Sequence, residues 1–313
     1  MPPPELSPAA AILPLHLPAW AIRSLPERSG ADHAVPAGPA HIGAALAVLD
    51  AAVASAAPHA GAWVNRLAFM AAAVAVARSG RPEDEAALRD LVAVSPAQPA
   101  GPAAPVLGAY LWLAAGPPGP RWGELPNLIA GLGARTDGLP DVLTQALATA
   151  ADLSCPLAAA ATALQAVLAV RPDRRALAAW AADVVLARWL GWPSGLPLVT
   201  LGLPQGHVGL AELAAAQDGA GLAGAVLRGS ARALDRFALL GHRAAVLQAV
   251  RPRLRARAAG QVVDRLLARD ALSVAGVRDL IAERAARRLF DRLVALGVVR
   301  ELTGRTTARL YGL

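Results

Sequence analysis

Alanine-rich apolar stretches, repeatedly interrupted by proline and glycine, make up most of residues 1–250 of this chain. Alanine has the highest helix propensity, whereas proline breaks the hydrogen bonds of a helix interior. Apolar residues recur at helical spacing inside these stretches, and we expect 42–57 and 61–80 to form an antiparallel helix pair. The pattern predicts a mainly α-helical protein, with a multi-helical, bundle-like N-terminal domain.

The high apolar content, 55% of the residues, does not by itself predict a membrane protein. A spanning helix needs about 20 consecutive apolar residues. The longest uncharged run, 91–120, contains seven prolines, and the run 153–170 is mostly alanine with Pro156, Thr162 and Gln165 inside it. The N-terminal stretch MPPPELSPAAAILPLHLPAW lacks the basic start of a secretory signal. We expect a cytoplasmic protein without a membrane partner.

Positive charge is concentrated at the C-terminal end. Residues 1–250 hold 16 arginines and 17 acids, whereas residues 251–313 hold 14 arginines and 6 acids, so the net charge of +7 comes from the last fifth. We therefore divide the chain into a Pro-rich extended arm (1–39), an α-helical domain (40–250) and a basic domain (251–313). A basic module on a neutral body is typical of proteins that bind a polyanion.

The basic domain has the element pattern of a winged helix-turn-helix. Helices are predicted over 261–269, 274–281 and 284–296, with Ser273 as a cap of the second, and a β-hairpin follows around Gly304. The third helix has a core stripe at three- and four-residue spacing and arginines on its other face. The stripe consists of Ala286, Leu289, Phe290, Leu293 and Leu296.

We predict that this module binds double-stranded DNA. Guanidinium groups pair with phosphates and with the two acceptors on guanine, and hydroxyl groups donate to phosphates. The candidate DNA-binding residues are Arg284, Arg287, Arg288, Arg292, Thr303, Arg305, Thr306, Thr307 and Arg309. The alternatives are a winged helix that docks protein and a purely structural cap, and a homodimer remains open.

The helical domain offers weaker candidates. A helix is expected to begin at Pro82. The acidic residues 83–85 and Asp90 predict helix-capping and surface ion pairs, among them Glu85 with Arg89 at i,i+4 spacing, with a polar site between helices as the alternative. Asp183 is a lone acid in an apolar helix, with Arg188 as a candidate partner. Cys155 is predicted to be a buried, inert thiol. No metal-ligand spacing or cofactor motif occurs, so no cofactor is expected, and an enzyme in the helical body is a third, weaker hypothesis.

Four stretches resemble a bacterial family catalogued as domain of unknown function 1403. They are AGAWVNRLAF, SGRPEDEAALRD, ARWLGWPSGLPL and RLFDRLVALGVVRELTGRTTARLYGL. This resemblance implies a fold and a bacterial origin but no activity. The last stretch is also similar to the C-terminal winged helix of Fic proteins, although the chain lacks their His-Pro-Phe motif and the following Gly-Asn-Gly-Arg. We therefore expect a bacterial transcriptional regulator or accessory DNA-binding factor, with a helical interaction scaffold as the alternative.

Overall fold

The computed structural model describes residues 15–18, 21, 38–94, 99–116, 128–129, 139–151, 153–203, 220–254, 258–303 and 309–313. Within these residues the protein is mainly helical, as predicted. The helices are α1 (Pro39–Ala54), α2 (Ala60–Arg78), α3 (Glu85–Val94), α4 (Ala104–Ala114), α5 (Leu139–Ala151), α6 (Pro156–Val170), α7 (Arg175–Leu190), α8 (Leu198–Leu201), α9 (Ala220–Val250), α10 (Ala259–Ala268) and α11 (Glu283–Ala295). Most of the predicted arm, 1–39, lies outside the described residues.

Helix α2 is the centre of the body. It packs against α3, α4, α8, α9 and α10, and its alanines allow these neighbours to approach closely. Trp63 anchors it to α9, because its indole N–H donates to the carbonyl of Ala233 at 2.8 Å. In the described part of the chain α2 alone is long and apolar enough to cross a membrane. However, 61% of its most apolar window is buried inside the protein, as in a central core helix.

Two glycines allow the short helix α8 to contact α9 backbone to backbone. A Cβ at Gly229 would lie 1.9 Å from the carbonyl oxygen of Leu198, and one at Gly202 would lie 1.7 Å from that of Ala225. Any larger residue would separate the two helices. Residues 198–201 therefore form a buried helical turn, preceded by an irregular stretch.

One prediction about the helical body is wrong. Helix α1 packs mainly on α9, and not as an antiparallel pair with α2. Residues 209–259 were expected to hold two or three helices, and the described part of this range is mostly one helix of 31 residues that contains several glycines. Tertiary contacts hold these glycines in the helix, since Gly229 faces Leu198 and Gly241 faces the ring of His59.

The C-terminal segment adds a small sheet. Its strands are β1 (Leu272–Ser273), β2 (Arg300–Glu301) and β3 (Leu310–Gly312), and both pairings are antiparallel in the order β1-β3-β2. The sequence predicted the hairpin strands but not β1. The buried apolar residues of this segment and those of the body form one continuous cluster, so the segment packs on the body through α10 and α2.

The second helix predicted for the basic domain, 274–281, is much shorter than expected. The structure has one 3-10 turn, Ala275–Val277, followed by irregular turns. Ser273 stabilises the start of this turn, because its Oγ accepts the N–H of Gly276 at 3.0 Å, although the N-cap residue itself is Val274. So short a segment, with a glycine inside it, cannot sustain a cooperative helix.

Cys155 is exposed and directly precedes α6, so the prediction of a buried thiol is wrong. Among the described tryptophans, Trp63, Trp112, Trp180 and Trp192 are buried. Trp189 is 39% exposed, although its indole N–H donates to the carbonyl of Leu153.

Candidate functional site

Helix α11 presents a row of arginines on its exposed face. Arg284, Arg288 and Arg292 stand four residues apart, and all three are exposed. The opposite face anchors the helix in the core through side chains that are at most 6% exposed: Ala286, Leu289, Phe290 and Leu293. Leu296, predicted to be part of this stripe, is 48% exposed because the helix ends before it and Gly297 adopts a positive φ of 68°.

The arginines of α11 differ in what neutralises them. Arg287 donates to Glu283 at 2.6 Å, one turn earlier, so its charge is largely balanced. Among the residues that the structure describes, Arg288 and Arg292 donate to carbonyl oxygens, those of Arg284 and Arg253, each at 3.4 Å. Among the described residues, Arg284, Arg288 and Arg292 form no ion pair with a carboxylate. We call these three residues the arginine row.

The hairpin residues predicted to bind DNA differ in their exposure and in their partners. Thr303 is 6% exposed, and its Oγ1 accepts the N–H of Leu310 at 3.1 Å, so it stabilises the hairpin and does not face solvent. Arg309 is exposed and lies 3.8 Å from Glu301. The predicted contacts Arg305, Thr306 and Thr307 lie outside the described residues.

Two other arginines of the basic segment hold its elements together. Arg251 makes a bidentate ion pair with Asp264, with N–O distances of 2.6 and 2.9 Å. This pair joins the end of α9 to α10. Arg265 pairs with Asp279 at 2.6 and 2.7 Å and also donates to the carbonyl of Gly276. Their geometry assigns these side chains a structural role, which reduces the positive field available to a partner.

A buried ion cluster joins the C-terminal segment to the body. Asp270 follows α10 and accepts hydrogen bonds from Arg66 of α2 and Arg89 of α3, the latter at 2.6 Å. Arg66 also donates to the main-chain oxygens of Asp270 and Leu313. All three charged side chains are at most 6% exposed. We call Arg66, Arg89 and Asp270 the joint cluster.

Sequence reasoning missed the joint cluster, because Asp270 lies 204 positions from Arg66 and 181 positions from Arg89. It did predict the i,i+4 pair of Glu85 with Arg89, which is present at 2.9 Å. Burial opposes the positive charge of Arg89, but Asp270 and Glu85 outweigh it and raise the pKa of Arg89. The available signal was Arg66 itself, a charge in the middle of a mostly apolar helix whose other charged residue, Arg78, stands at its C-terminal end.

A cavity of about 450 Å³ opens beside the joint cluster. Helices α2, α3 and α4 line it on one side, and β1 and the end of α10 on the other. Arg89 lies over the ring of Phe69 at its edge, with its guanidinium carbon 5.2 Å from the ring centre. The volume is in the range of small-ligand sites, but the cavity is open, and two of the charged side chains that line it, Arg89 and Asp270, are already paired with each other.

Asp183, the lone acid of α7, caps a helix. It is fully buried and accepts the N–H groups of Val199 and Thr200 at 2.6 and 3.1 Å, together with the hydroxyl of Thr200. The Tyr110 hydroxyl lies 2.9 Å from that of Thr200. The prediction that Asp183 pairs with Arg188 is therefore wrong. Burial raises the pKa of Asp183 to about 7, even though its hydrogen bonds favour the ionised form.

This raised pKa predicts a pH-dependent stability. Between the ordinary value of 3.8 and about 7, the folded protein retains a proton on Asp183 that the unfolded chain loses. Stability is therefore lost as the pH rises through this window. In urea titrations across it, we expect the free energy of unfolding of the wild type to fall relative to that of Asp183→Asn. If the difference in the free energy of unfolding between the two proteins stayed constant with pH, the raised pKa of Asp183 would be contradicted.

The acidic residues at the start of α3 do not form a catalytic cluster. Asp84 caps the helix by accepting the N–H of Ala87 at 2.9 Å, Glu83 pairs with Arg81, and Glu85 pairs with Arg89. The helix begins at Glu85, although the proline at 82 suggested an earlier start. Across the described ranges no group of three His, Cys, Asp or Glu side chains is arranged to hold a metal ion.

Comparison with known proteins gives a family but no functional relative. No curated protein and no solved structure matches the chain. One family model spans the helical body and the C-terminal segment without a break, and therefore includes the joint cluster and the arginine row. The chain belongs to the family described as Protein of unknown function (DUF1403), whose model matches residues 9–313.

Proposed function

We propose that this protein binds double-stranded DNA through residues 259–313, folded as a winged helix with α11 as its recognition helix. The element order supports this reading: helix, strand, short helical turn, helix and two strands, with the sheet order β1-β3-β2. In helix-turn-helix proteins the recognition helix lies in the major groove. The similarity of the last stretch to the winged helix of Fic proteins supports the same architecture.

The arginine row is the observation that carries the proposal. Three exposed guanidinium groups lie on one side of a helix whose other side is fixed in the core. A rigid scaffold reduces the entropy lost when the side chains bind, and each guanidinium fits a phosphate or a guanine edge. A helix of 13 residues is about 20 Å long, and the major groove admits one helix.

The hairpin would supply the wing. In the sequence, Arg305, Thr306 and Thr307 stand between β2 and β3, and Arg309 directly precedes β3; side chains at such positions of a wing reach a neighbouring phosphate or the minor groove. In this proposal the protein is a cytoplasmic bacterial regulator or accessory factor, and the helical body senses, dimerises or binds a partner.

The experiment is a mobility-shift titration of a random duplex at several salt concentrations. Three phosphate contacts predict that the logarithm of the association constant falls with a slope of about −2.7 against the logarithm of salt concentration. For Arg288→Gln we expect about tenfold weaker binding at low salt and a slope shallower by about 0.9.

Arg171→Gln is the matched control, because it also removes one positive charge but lies in the body, where Arg171 pairs with Asp173. It should keep the wild-type slope. Binding without a salt slope, or equal losses for the two variants, would contradict the assignment of α11 as the DNA contact.

A protein-binding winged helix is the second candidate. Val294 and Leu296, at the C-terminal end of α11, are 40% and 48% exposed. Exposed apolar side chains next to arginine are typical of protein interfaces, where charge surrounds an apolar centre. Failure of the duplex titration, together with a partner that is lost on Val294→Ser, would favour this scaffold function.

A further inference from the structure

A second group of arginines interacts electrostatically with Arg66 of the joint cluster. Its members are Arg236 and Arg243 of α9 and Arg300 of β2. The two α9 residues are seven positions apart, which places them on the same helix face, two turns from each other. Both are partly buried, whereas Arg300 is exposed.

The register of the sheet shows which way Arg300 points. Tyr311 stacks on Phe290 of α11, with ring centres 4.5 Å apart, so Tyr311 faces α11. Its neighbour Gly312 faces the opposite way, and Arg300 is the direct cross-strand partner of Gly312. Opposite residues in an antiparallel pair share a face of the sheet. A Cβ on Gly312 would lie 3.4 Å from a terminal nitrogen of Arg66, so this is the face turned toward the joint cluster.

Positive charge exceeds negative charge at this junction. The charges that act on Arg236, Arg243 and Arg300 are mainly those of other arginines, Arg66 and Arg89 among them, and Glu85 is the carboxylate that acts on Arg236. Asp270 is already occupied by Arg66 and Arg89. Burial and the like charges of Arg300, Arg66 and Arg236 lower the pKa of Arg243. Burial, together with Arg66 and Arg89, likewise lowers the pKa of Arg300.

Arg243 also has a buried donor without an acceptor. Its terminal nitrogen Nη1 is shielded from solvent and makes no hydrogen bond with any described residue. A buried charged donor left unsatisfied is costly, and such a group in a native protein usually indicates a bound water or ion. The excess of positive charge favours an anion as the acceptor.

We propose that Arg236, Arg243 and Arg300 form a binding site for a free phosphate-type oxyanion, such as inorganic phosphate or the phosphate group of a small metabolite. Three guanidinium forks from two elements match the several acceptor oxygens of such an ion. Because the ion would contact α9 and β2 together, it would also fix the sheet against the body. Phosphate binding at this site does not depend on DNA binding.

The test compares phosphate with chloride at equal ionic strength, using calorimetric titration and thermal melting of the full chain. We expect phosphate to bind saturably and to raise the Tm more than chloride does, because a ligand that binds only the folded state stabilises it. Arg243→Gln and Arg300→Gln should each weaken phosphate binding about tenfold, the factor for one lost charge-assisted hydrogen bond. Both variants should fold, since each removes a repelling charge.

Arg253→Gln is the matched control, because Arg253 is an exposed arginine on the 3-10 turn after α9. It should keep the wild-type phosphate affinity. Equal phosphate affinity in the wild type, Arg243→Gln and Arg300→Gln would overturn the proposal. It would also be overturned if the wild type bound no phosphate and Arg243→Gln weakened duplex binding as much as Arg288→Gln, since the arginines would then contact the DNA backbone.

Discussion

Replacing Asp270 with asparagine is expected to destabilise the protein by about 3 to 5 kcal/mol, because it removes the carboxylate that balances two buried guanidinium groups. Arg66 and Arg89 have at most 6% of their side-chain surface in contact with solvent, so water cannot compensate for the loss. Asp270 belongs to the C-terminal segment and both arginines belong to the body. The main consequence should therefore be that the C-terminal segment separates from the body.

Two measurements distinguish separation from global unfolding. All seven tryptophans lie at or before position 192, so their fluorescence reports on the body alone. Trypsin cleaves after arginine, and the segment 251–313 holds 14 arginines, so limited proteolysis reports on the C-terminal segment. For Asp270→Asn we expect faster cleavage of this segment at denaturant concentrations where the tryptophan signal is still native.

Asp264→Asn is the matched control for Asp270→Asn. Asp264 also pairs with an arginine, Arg251, but both side chains are substantially exposed, at 56% and 37%. Exposed pairs contribute about 1 kcal/mol or less. If the two asparagine variants unfolded at the same denaturant concentration, the joint cluster would not be the main connection between the segment and the body.

The second large effect is expected for Leu293→Ala, which should cost about 2 to 5 kcal/mol. Leu293 is fully buried on the inner face of α11, and the alanine would leave a cavity between the helix and the rest of the core. Chemical denaturation followed by circular dichroism measures the loss. If DNA binding depends on a fixed arginine row, duplex affinity should fall as well, although no positive charge is removed.

The adjacent residue provides the control for Leu293→Ala. Val294 is 40% exposed on the same helix, so Val294→Ala removes apolar atoms without opening a buried cavity. The free energy of unfolding of Val294→Ala should be within about 0.5 kcal/mol of the wild-type value, as for most surface substitutions. Equal costs for the two variants would show that α11 does not use Leu293 to pack on the core.

Local sequence signals predicted the elements that depend on near neighbours. The amphipathic spacing of α11 predicted both its buried stripe and its exposed arginines, apart from Leu296. The stabilisation of the 3-10 turn by Ser273 and the i,i+4 pair in α3 were also predicted from residues a few positions apart. The unusual length of α9 was not, because its glycines favour breaks locally and are kept helical only by contacts with Leu198 and His59.

The candidate DNA-binding residues also show that local sequence signals do not predict which side chains are exposed and which are paired. Sequence periodicity treats Arg287 and Arg288 alike, but Glu283 balances the first and no described carboxylate balances the second. A threonine in a hairpin is a reasonable phosphate donor by composition, yet the fold uses Thr303 to hold the strands together. Exposure and pairing of a side chain depend on which groups the fold brings close, and these are often far away in sequence.

The sequence by itself determined the helical class, the basic character of the segment 251–313 and the division of α11 into an apolar and a basic face, because composition and periodicity act over single helical turns. The tertiary structure alone decided which charges are neutralised by ion pairs. It placed Asp270 between Arg66 and Arg89. Electrostatic balance in a folded chain depends on distances in space, so groups that are remote from one another along the chain contribute to it together.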